Sequence, residues 1–246
     1  MPKVKVNDIE MYYEVHGEGE PLVLLHGFLC SSQQWNHYIP ELQERFQLII
    51  PDLRGHGRTT NPSDEFTHRQ AALDVFKLLD HLNIEHIKGM GFSSGGMILL
   101  HMATQQPERI QSMILDGTTP YFPKKSREFK AQFTIEDVRA RIRQTHIYGE
   151  VQVRKLYEQF VAQKDSYDDV NFTKPYLSTI QAKTLIIHGD RDKLFPVDVA
   201  LYMYEAIPDS YLWVIPNAGH ALVLSDHADD IKRVALNFFI KDWNTQ

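Results

Sequence analysis

The run Gly91-Phe92-Ser93-Ser94-Gly95-Gly96 sets a serine between two glycines at G-x-S-x-G spacing, after an apolar strand-like stretch and before a helix-like one. A serine in such a strand–turn–helix corner is held in a strained conformation. Large side chains two residues to either side would collide, and Gly91 and Gly95 remove them. The hydroxyl then stands exposed above the strand end, at a helix N-terminus whose partial positive charge favours a developing anion. The chemistry this suits is nucleophilic attack by Ser93. A glycine-rich turn with a capping serine is the plainer alternative for the same residues.

A serine hydroxyl is a poor nucleophile until an imidazole takes its proton, and the imidazole needs a carboxylate to fix its tautomer. Of the twelve histidines, His220 stands apart, because it follows the last strand-like run in Pro216-Asn217-Ala218-Gly219-His220. His26 and His56 lie in glycine turns and read as structural hydrogen-bonders, while His81 and His86 lie around a helix end and a loop. Three carboxylates compete for the orienting role. Asp190 and Asp192 share the stretch His188-Gly189-Asp190-Arg191-Asp192, and Asp116 closes an earlier strand-like run. Each candidate follows a strand end, where open α/β sheets place their ligands. The developing oxyanion calls for backbone N–H donors. Ser94 would supply one, and Phe28, in the His26-Gly27-Phe28 loop, the other, leaving its ring against the substrate.

The elements that must position these residues alternate. Val4–Val15 reads as two short strands with Asn7-Asp8 at the turn. Pro21–Leu25, Gln47–Leu53, Ile87–Met90, Ile110–Leu115, Thr184–Ile187 and Tyr211–Ile215 are short apolar runs of the kind found in strands covered on both faces. Helical spacing appears in Thr67–Leu82, Met97–Ala103, Val197–Ala206 and Asp229–Phe239. Strands alternating with helices predict an α/β fold with a parallel sheet and right-handed crossovers. The segment from Pro120 to Pro175 breaks the alternation. Thr134 and Asp137 resemble a capping box with Asp in place of Glu. Ile135, Val138 and Ile142 fall on one helical face, and Val153, Leu156, Tyr157, Phe160 and Val161 on another. The segment reads as a helical insertion between two strands.

The bulk numbers fit one domain with an inserted subdomain. The chain has 246 residues, 43% hydrophobic and 24% charged, with a formal net charge of -6. That balance argues against nucleic acid or an anionic membrane as partner. A single cysteine, Cys30, rules out an intrachain disulfide and suits a reducing compartment. The first residues lack an apolar leader and no run has membrane-spanning length, so a cytoplasmic location is expected. No phosphate loop, His-Glu-x-x-His helix or paired cysteine ligands occur, so neither nucleotide, metal nor other cofactor is implied.

Together, His26-Gly27-Phe28, Pro51-Asp52-Leu53-Arg54-Gly55-His56-Gly57, Gly91-Phe92-Ser93-Ser94-Gly95-Gly96, Gly189-Asp190-Arg191-Asp192 and Gly219-His220 resemble the α/β-hydrolase superfamily, in its order and along nearly the whole chain. The likeness is to the compact bacterial esterase, lactonase and cofactor-free haloperoxidase-like group. The Ser…Asp…His order is the one this fold uses. The resemblance favours the second Asp, Asp192, over Asp190. It implies an eight-stranded, mostly parallel sheet with an antiparallel second strand, flanked by helices. It also implies a core domain of residues 1–119 and 176–246, with residues 120–175 as a helical cap over the site. Branches with an aspartate nucleophile do not fit Ser93, nor does a His-Gly-Gly-Gly loop fit His26-Gly27-Phe28.

The expected function is cleavage of a small-molecule carboxylic ester, thioester or lactone through an acyl-serine. The same triad would also serve an acyltransferase, perhydrolase or lyase, or a ligand receptor with residual hydrolysis. Residues 120–175 carry eleven Lys and Arg against eight Asp and Glu, leaving +3 there and -9 elsewhere. A basic cap would attract anionic acyl substrates; a solvated helical face is the simpler reading. Phe28, Phe92, Tyr121, Phe122 and Phe133 are candidates for the lining of an apolar acyl pocket, with Phe129 and Phe160 beside them; the five of these that lie in the insertion fit the cap's own small core equally well.

Overall fold

The computed structural model describes residues 2–142, 149–241 and Trp243. The short apolar runs become strands β1 (Lys3–Val6), β2 (Ile9–His16), β3 (Glu20–Leu25), β4 (Phe46–Pro51), β5 (Ile87–Phe92), β6 (Ile110–Asp116), β7 (Lys183–Gly189) and β8 (Ser210–Ile215). They form one eight-stranded sheet in the order β1-β2-β4-β3-β5-β6-β7-β8. β2 is antiparallel to both β1 and β4, and the other pairings are parallel. The described helices are α1 (Ile39–Leu42), α2 (His68–His81), α3 (Ser94–Gln105), α4 (Lys124–Gln132), α5 (Ile135–Ile142), α6 (Gly149–Ala162), α7 (Lys174–Leu177), α8 (Val197–Ala206) and α9 (Ala228–Ile240).

The unbroken apolar runs in the middle of the sheet have a physical reason. Helices cover both faces, so both sides of β3, β5 and β6 must be apolar. Ala72, Val75 and Leu79 of α2, the buried residues of α3 and Val199 and Met203 of α8 pack on one face. Leu42 of α1 and Ile231, Ala235 and Phe238 of α9 pack on the other. At the β1–β2 end, buried Arg54 donates to Asp74 at 2.7 and 3.1 Å and to Asp8 at 2.9 Å. It thereby ties the β1–β2 turn and the loop after β4 to α2.

Between β6 and β7 the chain runs through α4 to α7. Phe133, Val138, Val153, Leu156 and Phe160 gather there into a small core of their own, joined by Leu29 from below. The Thr134–Asp137 box forms: Thr134 N donates to Asp137 Oδ2 at 2.8 Å and Asp137 N to Thr134 Oγ1 at 3.3 Å. Tyr157 and Ile135 pack against this core, and Val161 is half-buried outside it. The side chain of Ile142 lies outside the described residues. The two ends of the excursion meet: Phe172 N donates to Pro120 O at 2.8 Å, beside a bridge between Tyr121 and Asn171. Among the described residues, no helix is long and apolar enough to cross a membrane.

Candidate active site

The tight turn between β5 and α3 places Ser93 with φ +52° and ψ -113°. The glycines permit this by absence of bulk. A Cβ on Gly91 would come within 2.5 Å of the Gly95 backbone, and one on Gly95 within 2.1 Å of Leu25 O. The corner is anchored to the neighbouring strand by Ser93 N donating to Asp116 O at 2.8 Å. A non-glycine residue in the left-handed region costs about 1–3 kcal/mol and persists only where its surroundings over-determine it.

His220 reaches the corner from the loop after β8. Its Nε2 lies 3.0 Å from Ser93 Oγ and its Nδ1 lies 2.7 Å from Asp192 Oδ2. The rings of Phe92 and Phe195 flank the imidazole at 5.2 Å each. The Asp192 side chain is 1% exposed. Burial alone would raise its carboxyl, but hydrogen bonding and charge from His220, with backbone N–H groups of Phe195 and Leu194, hold it below its ordinary value. Those N–H groups donate to Oδ1 at 3.1 and 2.7 Å, so the other oxygen is left for His220. Behind it, His188 Nε2 donates to Phe195 O at 2.9 Å, which steadies the turn that carries Asp192.

The other two carboxylates are not brought to the imidazole. Asp190 is exposed, accepting from Ala218 N at 3.3 Å. Asp116 is buried at the end of β6, and burial pushes its carboxyl well above the usual range. The Val223 backbone offsets this in part, while the negative Asp192 adds to it. His26 and His56 make structural bonds. Fully buried His26, whose imidazole pKa desolvation lowers against the pull of Asp52, has Nδ1 2.8 Å from Gly27 O and accepts from Leu53 N at 3.0 Å. His56 Nδ1 lies 3.0 Å from Arg54 O.

A cavity of about 280 Å³ opens beside Ser93 and His220. Phe28, Phe92 and Ser94 line it, together with Met97, Phe129 and Phe160. Leu29, next to Phe28, shares with Ser93 a place in the cavity wall and a positive φ, +68°. Tyr121, Phe122 and Phe133 are not in this wall. Tyr121 stacks edge-on against Tyr202, Phe122 sinks into the core over α3, and Phe133 packs on Phe160 within the small helical core. Aromatic composition marked the insertion as a source of lining but could not tell which helix face looks down. A larger open groove of about 690 Å³, between residues 59–64 and α6, contains neither Ser93, His220 nor Asp192. Among the described residues no group of three or more His, Cys, Asp or Glu side chains is arranged to hold a metal ion.

Two features of the site went unread in the sequence. The first is a second Ser–His–Asp chain. His68 Nε2 lies 3.1 Å from Ser94 Oγ and its Nδ1 2.6 Å from Asp169 Oδ2, while Asp169 also accepts from the N–H groups of His68 and Arg69 at 2.8 and 3.0 Å. Asp169 thus caps the start of α2. Burial would raise its carboxyl; His68 and these N–H groups drive it well below the ordinary range. The second is Lys130 of α4, a buried amine in the cavity wall. Neither carried a signal, because His68 and Asp169 are far apart in sequence and Lys130 sits in a charged run.

Known proteins are similar to this chain over most of its length. The alpha/beta hydrolase fold family matches residues 20–134 and 129–226. Serine hydrolase BPHL of Mus musculus is 30% identical over 253 residues, spanning 96% of this chain and 85% of its own length. The 2-hydroxy-6-oxo-6-(2'-aminophenyl)hexa-2,4-dienoic acid hydrolase of Metapseudomonas resinovorans is 24% identical, spanning 96% and 89%. In three dimensions the chain resembles the meta-cleavage product hydrolase CumD of Pseudomonas fluorescens IP01, with a TM-score of 0.82 over 97% of both chains at 23% identity, a likeness of fold. A serine corner on a sheet of this order, matched at family level over most of the chain, makes the protein a member of the α/β-hydrolase fold family.

Proposed function

We propose that this hydrolase cleaves a carboxylic ester, thioester or lactone through an acyl-serine intermediate. Ser93 Oγ attacks the acyl carbonyl while its proton passes to His220 Nε2. The carbonyl electron pair moves onto oxygen, where the N–H groups of Phe28 and Ser94 receive it. Collapse of the tetrahedral species expels the leaving group, which takes the proton from His220. A water molecule then repeats the sequence on the acyl-serine and releases the acid. Asp192 keeps Nδ1 protonated and stabilises the imidazolium between the steps.

The observation that carries this reading is the unbroken relay Asp192–His220–Ser93 at 2.7 and 3.0 Å, ending on a strained serine at a cavity wall. The apolar wall of Phe28, Phe92, Phe129 and Phe160 favours a small or medium acyl group. Residues 120–175 serve as the cap that supplies the upper part of that wall. The BPHL relative, itself named a serine hydrolase, supports the same class.

The test is turnover of p-nitrophenyl esters of increasing acyl length by the wild type and by Ser93→Ala. Loss of a nucleophile that acts within a triad costs on the order of 10⁴-fold or more. Equal turnover by both proteins overturns the acyl-serine step. Added alcohol or peroxide acceptors, with product analysis, separate hydrolysis from acyl transfer and perhydrolysis.

A further inference from the structure

The cavity beside Ser93 has a mostly apolar wall with one buried cation in it. Lys130 is 2% exposed. Its ammonium lies 4.5 Å from the centre of the Phe122 ring and 4.3 Å from that of Phe160, and it donates to Gln163 Oε1 at 2.6 Å. Among the described residues no carboxylate lies within ion-pair reach of it. Arg127, three residues earlier, donates to the carbonyls of Phe122 and Lys164 at 2.9 and 2.5 Å. Gln163 Nε2, buried on the same side chain, has no acceptor among the described residues. Among the described residues, the surroundings of this ammonium therefore offer more donors than acceptors and no counter-charge, and Lys130 itself lines the cavity.

A buried lysine is ordinarily paired, because an unpaired cation in apolar surroundings is costly. A pocket meant only for a hydrocarbon chain would be better lined by Met or Leu at this position. We propose that Lys130 is the recognition point for an anionic group on the acyl part of the substrate, so that the site takes carboxylate-bearing acyl compounds in preference to neutral ones of the same shape. The inference rests on the Ser93-centred reading above. It goes beyond the general positive balance of the insertion, because it assigns the preference to one buried side chain on the cavity wall. Two ring faces hold the ammonium in place without neutralising it, which leaves N–H groups for an entering carboxylate. Burial, and then the charge of Arg127, lowers its amine to about 7, as expected of a cation that lacks its partner.

Mono-p-nitrophenyl esters of dicarboxylic acids, from adipate upward, are compared with p-nitrophenyl esters of the methyl-terminated acids of equal length. The wild type is expected to favour the charged ester in kcat/KM by at least tenfold at one chain length, and Lys130→Met to abolish that ratio. Lys130→Gln reads the same ratio should the Met variant fail to fold, and Lys130→Arg is expected to keep part of it. A wild-type preference for the neutral ester at every length overturns the proposal. So does a loss in Lys130→Met that is equal for both esters, which marks a structural lysine. Calorimetric titration of Ser93→Ala with adipate monoamide and with hexanamide separates the two readings. If no ester is hydrolysed yet the charged amide binds and Lys130→Met removes it, the acyl-serine reading falls and this one stands. If Ser93 turns over esters without charge preference, the reverse holds.

Discussion

At the scale of single residues, the site trades stability for geometry. Ser93 is held at φ +52° by a corner that glycine would occupy without strain. Ser93→Gly is therefore expected to raise the unfolding free energy by about 1 kcal/mol, read by urea denaturation, while abolishing ester turnover. Asp192 and Asp190 lie two residues apart and separate sharply in role. Asp192→Asn is expected to lower kcat by about 10⁴-fold, because the imidazole loses the group that fixes its tautomer. Asp190→Asn is expected to leave kcat within about twofold in the same assay. The sequence made both legible as candidates, since each follows the glycine that ends β7. The family likeness favoured Asp192, and the physical reason it turns inward is visible only in the fold, where the N–H groups of Leu194 and Phe195 claim one of its oxygens. Lys130 was illegible for a different reason. In Lys-Lys-Ser-Arg-Glu-Phe-Lys-Ala-Gln every charge looks solvated, and only the packing of α4 on Phe160 puts one of them inside.

At the scale of elements, the N-terminus of α2 is the joint between core and insertion. Its first N–H groups point at Asp169, a carboxylate from beyond α6, while His68 links that carboxylate to Ser94 at the start of α3. A carboxyl whose folded value is depressed adds stability that is complete above its ordinary value of 3.8 and is lost as pH falls towards its lower folded value. Asp169→Asn should thus be less stable than the wild type at pH 7. Its stability should also fall less steeply below about pH 4, as compared by urea midpoints at pH 5 and pH 3. The strands were readable because both faces of the sheet are covered, which leaves unbroken apolar runs that end on glycine or polar residues. The antiparallel placing of β2 came from the family likeness, since a short alternating strand carries no mark of direction. The α4 helix lacks an apolar stripe, so only its neighbours define it.

For the molecule as a whole, two apolar layers on one sheet give the scaffold, and the β1–β2 end is secured by Arg54. Its bidentate contact with Asp74 is buried, and removing Asp74 leaves the buried guanidinium with the half-exposed Asp8 as its counter-charge. Asp74→Ala is expected to cost about 3–5 kcal/mol in urea unfolding, far more than an exposed pair such as Lys77–Asp80 would.

The backbone contact between Pro120 and Phe172 has a historical consequence as well as a mechanical one. A segment whose ends are neighbours can lengthen, shorten or be exchanged while the strands on either side stay where they are. The helices between those two residues contribute Phe129, Lys130 and Phe160 to the cavity, whereas Ser93, Asp192 and His220 all belong to the sheet and its loops. Selection can therefore retune what the cavity admits by editing that one stretch, while the proposed relay of Ser93, His220 and Asp192 stays on the sheet and its loops.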